Sequence, residues 1–297
     1  MQNWWLDAVC DEWQLAVSRG ENEQIRGVFP YFLNKKYGFL QISLPPLTPW
    51  LGLWLDVPTA PPAKLHTVYS FEKEVIGELL AGLPSVAFFD LNLDASFQNG
   101  LPFQQNGYRQ TTRFSYVLEN LDDFAAVDKG FNRNVRRNLL KAETRLRVVE
   151  TDDLDVLFSL SKKTFERRGE RVPFSLELLR RVDNSLKINA FRQIWLTENQ
   201  ANGQPVAAIY VAWNAHEAHL LITASEANFE GAASTFPLFE TALRFLSGKT
   251  RRFDFNGSMT ESVAATYRSF GATQRAYSRF FRAKNRWLEA AKILFEK

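Results

Sequence analysis

A row of basic residues lies in the segment 131–147. Arg133, Arg137, Lys141 and Arg145 follow one another at intervals of four residues, which places them on one face of a helix. Such a row can neutralise the phosphates of a nucleotide or a nucleic acid. The alternative is an ordinary inter-domain helix whose charged side faces water. Arg133, Arg137 and Lys141 are therefore candidate contacts to an anionic ligand, and the sequence leaves both interpretations open.

A second candidate anion site lies where small residues open a predicted helix over 234–246. Glycine and alanine at a helix start let backbone amides approach a phosphate closely. Alone, this pattern is weak evidence. The residues predicted to contact a phosphate-bearing cofactor here are Asn228, Gly231, Ala232, Ala233 and Ser234.

The segment 253–272 carries a carboxylate, an amide, a hydroxyl and a phenol, on Asp254, Asn256, Ser258 and Tyr267. The flanking aromatic residues predict a short buried strand, followed by a sharp turn at a glycine. Ser258 lies three residues before a glutamate, a spacing that predicts a capping box at a helix start. The helix is expected to end at a second glycine, and a strand over 273–282 follows. The four polar groups are therefore expected on a strand–turn–helix unit.

An upstream segment repeats this pattern at a constant distance along the chain. Asp90 precedes Asp254 by 164 residues, and Gly107 precedes Gly271 by the same number (254 − 90 = 271 − 107 = 164). This repeat offset also places Phe103 opposite Tyr267. Few positions match, so chance remains an alternative, but a constant offset across strand and helix favours two similar halves. The predicted organisation is α/β (α+β), with domains at 1–128 and 148–297 joined by a basic linker helix at 129–147.

Composition excludes several classes of protein. A hydrophobic content of 45% with 23% charged residues is typical of a folded globular chain, and no apolar run is long enough to span a bilayer. The acidic N-terminal segment is unlike a signal peptide, and one cysteine, Cys10, cannot form an internal disulfide. We expect a cytoplasmic protein. Three histidines in no recognisable ligand spacing predict no metal site.

Charge is distributed unevenly along the chain. The formal net charge is +3, yet 14 Lys/Arg accompany only 8 Asp/Glu between Lys129 and Val182. The excess favours an anionic partner at the middle of the chain, with a solvated helical face as the alternative. A separate candidate for substrate contact is Trp50, in the proline- and tryptophan-rich loop 44–56. The alternative for this loop is packing under its own domain.

The second half resembles the GNAT acyltransferase fold. Its predicted order is strand, two helices, three antiparallel strands, helix, strand, helix, strand. The family's coenzyme A turn corresponds to Asn228–Ala233, which departs from the pattern at its first position. The whole chain is similar to tandem-GNAT proteins, typified by FemAB-type aminoacyl transferases and BioF2-like acetyltransferase-domain proteins. The matching segments are FNRNVRRNLLKA at 131–142, DFNGS at 254–258 and SFGA at 269–272.

The resemblance implies two tandem GNAT-like domains, each a mixed, mostly antiparallel sheet flanked by helices. It also implies an N-acyltransferase that moves an acyl or aminoacyl group from acyl-CoA or aminoacyl-tRNA to an amine, without a tightly bound cofactor. The acceptor would be a small or nucleotide-linked amine. FemAB-type members use aminoacyl-tRNA, but the helical arm that some of them insert for tRNA is not evident here, which favours a small acyl donor or an uncharacterised substrate. The alternative is a catalytically inactive tandem module that binds a nucleotide or RNA.

The resemblance also implies roles for individual residues. Asp254 would be the base or the group that orients the amine, and Asn256 and Ser258 would contact the substrate. A phenol at Tyr267 could protonate the departing thiolate or alkoxide, whereas Phe103 in the first half could not. The alternatives are that Asp254 and Ser258 only cap a turn and a helix, and that Tyr267 belongs to the core. On the enzymatic interpretation, chemistry is expected in the second half.

Overall fold

The computed structural model describes residues 2–36, 38–58, 64–226 and 231–295. The chain forms two compact units, Met1–Arg113 with Ala276–Lys297 (unit 1) and Phe114–Arg275 (unit 2). Both units therefore include residues on either side of the boundaries predicted at 128 and 147. None of the helices in the described ranges combines the length and apolarity needed to cross a membrane.

Helices and strands alternate along most of the chain. The elements up to the first unit boundary are α1 (Asn3–Val9), β1 (Trp13–Arg19), β2 (Ile25–Lys36), β3 (Phe39–Ser43), β4 (Trp54–Leu55), α2 (Leu65–Ala81), β5 (Phe88–Asn92), α3 (Leu101–Gln105) and β6 (Arg109–Leu118). The next are α4 (Phe124–Lys129), α5 (Arg133–Glu143), β7 (Leu146–Thr151), α6 (Leu154–Glu166), α7 (Leu176–Asn189), β8 (Phe191–Asn199), β9 (Pro205–Trp213) and β10 (Glu217–Ser225). A 3-10 turn (Gly231–Ser234) then leads to α8 (Phe236–Leu246), β11 (Arg252–Asp254), α9 (Glu261–Ser269), β12 (Thr273–Ala283) and α10 (Arg286–Phe295).

Unit 1 contains a mixed sheet. Strands β1, β2 and β3 are antiparallel neighbours, β3 is parallel to β5, and β5 is antiparallel to β12. The core of this unit is aromatic, and Phe103 stacks on Phe280 with 4.1 Å between ring centroids. Neither of these two rings is exposed.

Unit 2 repeats this arrangement on a larger scale. Strands β7, β8, β9 and β10 are antiparallel neighbours, β10 is parallel to β11, and β11 is antiparallel to β6. Asp90 on β5 faces Phe281, and Asp254 on β11 faces Val117. Asp90 and Asp254 are related by the repeat offset, and so are their partners, Val117 and Phe281. The repeat seen in the sequence therefore also holds for strand pairing.

Local sequence explains where several helices of unit 2 begin. The side chain of Asn132 accepts hydrogen bonds from two amides of α5, and Asp153 caps α6 in the same way. Each cap satisfies amides that lack a partner at a helix start. The basic helix is consequently shorter than the linker helix predicted over 129–147, because Asn132 sets its start and β7 begins at Leu146.

The predicted capping box before α9 is wrong. Helix α9 begins at Glu261, and its N-cap residue, Thr260, makes no side-chain cap bond. The Ser258 hydroxyl instead accepts a hydrogen bond from the Thr260 amide at 3.0 Å. The turn after β11 uses more residues than expected, because Asn256 and Gly257 both adopt positive φ, at 57° and 73°. A side chain at Gly257 would bring a Cβ within 2.5 Å of the Phe114 carbonyl oxygen.

Candidate active site

The pairing of the parallel strands β10 and β11 ends beside a cluster of polar residues in unit 2. Their register pairs Glu217 with Arg252 and ends with His219 opposite Asp254. Immediately beyond this pair, β10 contains an irregularity between Leu220 and Ile222. The side-chain amide of Asn256 bridges the opening strands by donating to the Leu220 carbonyl at 2.9 Å.

Side chains at this point face two opposite sides of the sheet. Phe253 and Phe255 belong to the hydrophobic core that includes Tyr267. Because side chains alternate along a strand, Asp254 between them points to the other side. Ala218 and Leu220 flank His219 in the same way and also belong to that core. Asp254 and His219 therefore share the face opposite Tyr267.

Asp254 is almost fully buried, with 1% exposure, and is held by hydrogen bonds rather than by an adjacent arginine. Its Oδ1 accepts from the Ser115 hydroxyl and from the Asn256 amide, the latter at 2.8 Å. Burial raises the pKa of the Asp254 carboxyl, while Ser115 and the nearby charge of His219 act in the opposite direction. The result is a carboxyl group that takes up a proton more readily than an exposed aspartate.

His219 connects Asp254's loop to Glu217. Its Nδ1 lies 3.1 Å from Asn256 Oδ1, and its Nε2 lies 3.3 Å from Glu217 Oε2. Since the Asn256 amide nitrogen already donates to Leu220, Asn256 Oδ1 accepts here and Nδ1 carries the proton. Burial alone would lower the pKa of His219, but the hydrogen bond and charge of Glu217 raise it above its ordinary value of 6.5.

Glu217 is an anion at ordinary pH. Its carboxylate is 2.8 Å from Arg252 Nε and 3.8 Å from Arg275. Burial acts to raise the pKa of Glu217, but the hydrogen bonds and charges of His219 and Arg252 lower this pKa to about 2. One ligand atom each of Glu217, His219 and Asp254 lie within 4.8 Å of one another. Because two guanidinium groups already neutralise Glu217, the arrangement suits proton exchange better than cation binding.

Tyr267 lines a cavity of about 430 Å³ on the other face. Its ring stacks on Phe255 with 4.5 Å between centroids, and its hydroxyl is hydrogen-bonded to Thr223. Burial raises the pKa of Tyr267 to about 12, so the phenol keeps its proton. The cavity is lined by elements that all belong to unit 2: Arg167, Thr223, Ser225, Glu226, Thr235, Phe239, Ser262, Val263, Thr266 and Tyr267.

Of the predicted cofactor turn, neither Ala233 nor Ser234 lines this cavity. Asn228 lies outside the described residues. Gly231, Ala232, Ala233 and Ser234 form the 3-10 turn before α8. Ser234 is fully buried, and its carbonyl accepts a hydrogen bond from Thr197 at 3.1 Å. Its neighbour Thr235 lines the cavity, but Pro237 removes one amide from the first turn of α8.

The basic row lies on the exposed face of α5. Arg133, Arg137 and Lys141 are all exposed, while Val135 and Ala142 on the opposite side are buried. Arg136, beside the row, is occupied by bidentate hydrogen bonds to Asp128 at 2.7 and 2.8 Å. The three predicted cations therefore lie on the surface of unit 2, and the ion pair of Arg136 with Asp128 does not include them.

Unit 1 contains an equivalent of Asp254, Asp90, but its hydrogen-bond partner is an arginine instead of a serine. Asp90 forms a bidentate ion pair with Arg279, at 2.6 and 2.5 Å. The repeat offset relates Ser115 to Arg279, so an arginine occupies the place of the serine. Trp50 lies in the same unit, with its ring 6.1 Å from Tyr277.

The sequence motif contains Asp254, Asn256 and Tyr267 but not three of their neighbours in the structure. Ser115, Glu217 and His219 come from β6 and β10, far from the motif along the chain. His219 attracts attention in the sequence only as a close neighbour of His216. The repeat offset links Ser115 to Arg279, but no signal in the sequence associates either residue with its aspartate.

Residues 129–269 match the family model for the acetyltransferase (GNAT) domain. The whole chain also has the fold of several solved proteins, one of which is a tandem GNAT protein. FemX superposes with a TM-score of 0.60 at 13% identity, covering 97% of this chain and 91% of FemX. A tandem GNAT protein from the clavulanic acid biosynthesis pathway gives 0.58 at 11%, covering 96% and 89%. L-PGS from Bacillus licheniformis gives 0.54 at 14%, covering 98% and 90%.

The chain has the fold of a tandem GNAT protein, and residues 129–269, most of them in its second half, match the GNAT acetyltransferase domain. The fold class and the family resemblance predicted from the sequence are therefore confirmed. The sequence has no significant match among curated proteins. Acyl transfer is the general activity that this domain supports.

Proposed function

We propose that this protein is an N-acyltransferase whose chemistry takes place in unit 2, on an amine acceptor and an ester or thioester donor. The observation that carries the proposal is the pair of proton-handling groups where β10 and β11 separate. Tyr267 lies on one face of the sheet, and Asp254 with His219 lies on the other. Amine acylation needs a proton acceptor for the nucleophile and a proton donor for the leaving group.

The donor occupies the cavity beside Tyr267. The amine nitrogen attacks the acyl carbon, the new C–N bond forms, and the C–S or C–O bond to the donor breaks. The phenol of Tyr267 transfers its proton to the departing sulfur or oxygen. A pKa of about 12 keeps this group protonated until the leaving group develops charge. Backbone amides at the irregularity after Leu220 are candidates for stabilising the oxyanion.

The acceptor amine approaches from the opposite face. Its proton passes to the coupled group formed by Asp254 and His219, which titrate together because they interact closely. Ser115 and Asn256 fix the Asp254 carboxylate, and Glu217 holds the imidazole. In this arrangement Asp254 has the role expected from the sequence, with His219 as an additional member.

The contrast with unit 1 supports chemistry in unit 2. Asp90 is neutralised by Arg279 and cannot readily accept a proton. Phe103, at the position of Tyr267, has no hydroxyl and is stacked in the core. Unit 1 thus has the same framework without either proton-handling group.

We favour an aminoacyl-tRNA donor over acyl-CoA. Arg133 and Lys141 are eight residues apart, or about 12 Å along a helix, and can contact more than one phosphate. The turn at 231–234 is a poorer cradle for a pyrophosphate, because Ser234 is buried and Pro237 lacks an amide hydrogen. The exposed basic row on α5 therefore favours aminoacyl-tRNA as the donor, although the sequence shows no evident helical arm for tRNA. The acceptor remains a small or nucleotide-linked amine.

A donor screen tests the function and the basic row together. Incubation of the full chain with an amine library should consume aminoacyl-tRNA faster than acyl-CoA. Reversing Arg133, Arg137 and Lys141 to Glu should weaken tRNA binding and reduce the slope of log Kd against log salt by about three, or one per phosphate contact. Reversing the exposed Lys35, Lys64 and Lys284 gives the same charge change and should preserve the slope.

Saturable, salt-sensitive tRNA binding without consumption of either donor would instead identify an inactive binding module. Preference for acyl-CoA, with a salt slope unaffected by the charge reversals, would restore the small-donor alternative. In that case the row on α5 is only a solvated face.

The pH dependence of turnover provides a second test. His219 must lose its proton before it can accept one from the amine, and its pKa is raised above 6.5. We therefore expect kcat/KM to rise with pH through a midpoint above 6.5. Changing His219 to Gln should remove this limb while the remaining rate becomes nearly independent of pH. An unchanged pH profile in His219→Gln would exclude His219 from proton transfer.

A further inference from the structure

Unit 1 contains a second ligand-sized cavity. Its volume is about 790 Å³, which lies in the range of small-molecule sites. The lining comes from two segments, the first half of α2 and residues 96–105 around the start of α3. All of these residues belong to unit 1, so the cavity is distinct from the one beside Tyr267.

The cavity occupies the same place in the repeat as the Tyr267 cavity. Gln98 and Pro102 line the cavity of unit 1, and the repeat offset relates them to Ser262 and Thr266, which line the cavity of unit 2. Helices α2 and α8 also correspond, since their last residues, Ala81 and Leu246, are separated by nearly the same offset. Each unit therefore has a cavity between its two corresponding helices.

The side chains around the unit 1 cavity combine an aromatic ring, a cation and amides. Tyr69 and Leu101 are each 56% exposed, unusually high for large apolar side chains. Lys73 is exposed and, among the described residues, makes no ion pair or hydrogen bond. Asn99 donates to Glu72 at 2.6 Å, which leaves the Asn99 oxygen available to a ligand. The Glu72 carboxylate is thus partly occupied by its hydrogen bond from Asn99, whereas Lys73 is available to an anionic ligand.

We propose that this cavity is a binding site for a nucleotide, separate from the site of acyl transfer. A nucleobase stacks on Tyr69 and against Leu101, because aromatic faces bind bases of any sequence. A phosphate pairs with Lys73, and the amides of Gln98 and Asn99 bond to the ribose or to the base edge. A neutral sugar offers no counter-charge to Lys73, and an acyl chain offers no hydrogen-bond donor to the side-chain oxygens of Gln98 and Asn99, whose amide nitrogens already donate to Ala95 and Glu72.

The site binds its ligand without reacting with it. The position equivalent to Tyr267 is Phe103, which is fully buried and stacked on Phe280. The equivalent of Asp254 is Asp90, which is ion-paired with Arg279. No proton donor or acceptor equivalent to those of unit 2 is therefore present at these two positions. A nucleotide held here is either a free ligand or the nucleotide portion of a larger molecule.

Calorimetric titration of the full chain with ADP tests the proposal. Tyr69→Ala and Lys73→Gln should each weaken binding by about ten-fold, since one removes the stacking surface and the other the phosphate contact. His66→Ala and Lys64→Gln change neighbouring exposed residues that do not line the cavity, and they should bind ADP as the natural chain does. Thr266→Trp fills the cavity of unit 2 and should also leave this binding intact.

Three results with ADP would overturn the nucleotide site. These are no saturable ADP binding up to about 1 mM, equal affinity in Tyr69→Ala and Lys73→Gln to that of the natural chain, and loss of binding in Thr266→Trp alone. Glucosamine binding as tightly as ADP would also reject it in favour of a carbohydrate site. Tyr69 and Lys73 are exposed, so matching melting temperatures should show that every variant is folded. ADP binding is measured without an acyl donor, so it does not depend on the proposed transferase activity.

Discussion

Replacing Tyr267 by Phe should lower turnover by about 100-fold or more, with little change in melting temperature. The substitution keeps the ring that stacks on Phe255 and removes only the hydroxyl. General-acid catalysis by a positioned side chain contributes typically 10²–10⁴-fold. The loss should appear in kcat, measured with saturating donor and acceptor, because the hydroxyl acts on the leaving group.

Tyr116 supplies the matched control for this prediction. Its ring lies 6.0 Å from that of Tyr267, but its hydroxyl contacts Arg268 and Gln274 instead of the cavity. Tyr116→Phe should therefore retain most of the turnover. Full activity in Tyr267→Phe would assign Tyr267 to the hydrophobic core, the alternative that its burial also permits.

The repeat was the most informative part of the sequence. A constant offset linked Asp90 to Asp254 and Gly107 to Gly271, and the structure places each pair in equivalent conformations. Both glycines adopt positive φ, at 80° and 86°, as expected where a helix ends in a left-handed residue. Strand type and helix stops could be predicted because they depend on local periodicity and on individual glycines.

The partners of the repeated strands could not be predicted in the same way. Strand β11 pairs with β6, so the hydroxyl that holds Asp254 comes from Ser115, which is distant along the chain. Periodicity within a strand defines which face is buried but not which distant strand lies beside it. The same limitation hid the proximity of His219, which reaches Asp254 only through the parallel register of β10 and β11.

The capping error has a local cause. Ser258 and Glu261 have the spacing of a capping box, but Asn256 and Gly257 extend the turn and delay the helix until Glu261. The four-residue signature contains no information about how long the preceding turn is. The turn instead places the Asn256 side chain against β10, where it bonds to the Leu220 carbonyl and to the His219 ring and so takes part in the candidate site.

The second large effect is expected at Asp254. Asp254→Asn should lower turnover by about 100-fold or more, because an amide cannot accept the proton that the amine releases. Its oxygen can still accept hydrogen bonds from Ser115 and from the Asn256 amide, so the fold has little to lose. Burial already raises the pKa of Asp254, which means that the charged carboxylate is disfavoured there. The melting temperature should therefore stay the same or rise.

Asp90→Asn is the matched substitution in unit 1 and should have the opposite signature. Removing the carboxylate breaks the bidentate ion pair with Arg279, whose side chain is only 23% exposed. Breaking a largely buried ion pair from one side destabilises a fold, so the melting temperature should fall while turnover is largely retained in the folded enzyme. Measuring kcat and melting temperature for both variants separates catalysis from stability. Equal losses of turnover in the two variants, or full turnover in Asp254→Asn, would contradict the assignment of the chemistry to unit 2.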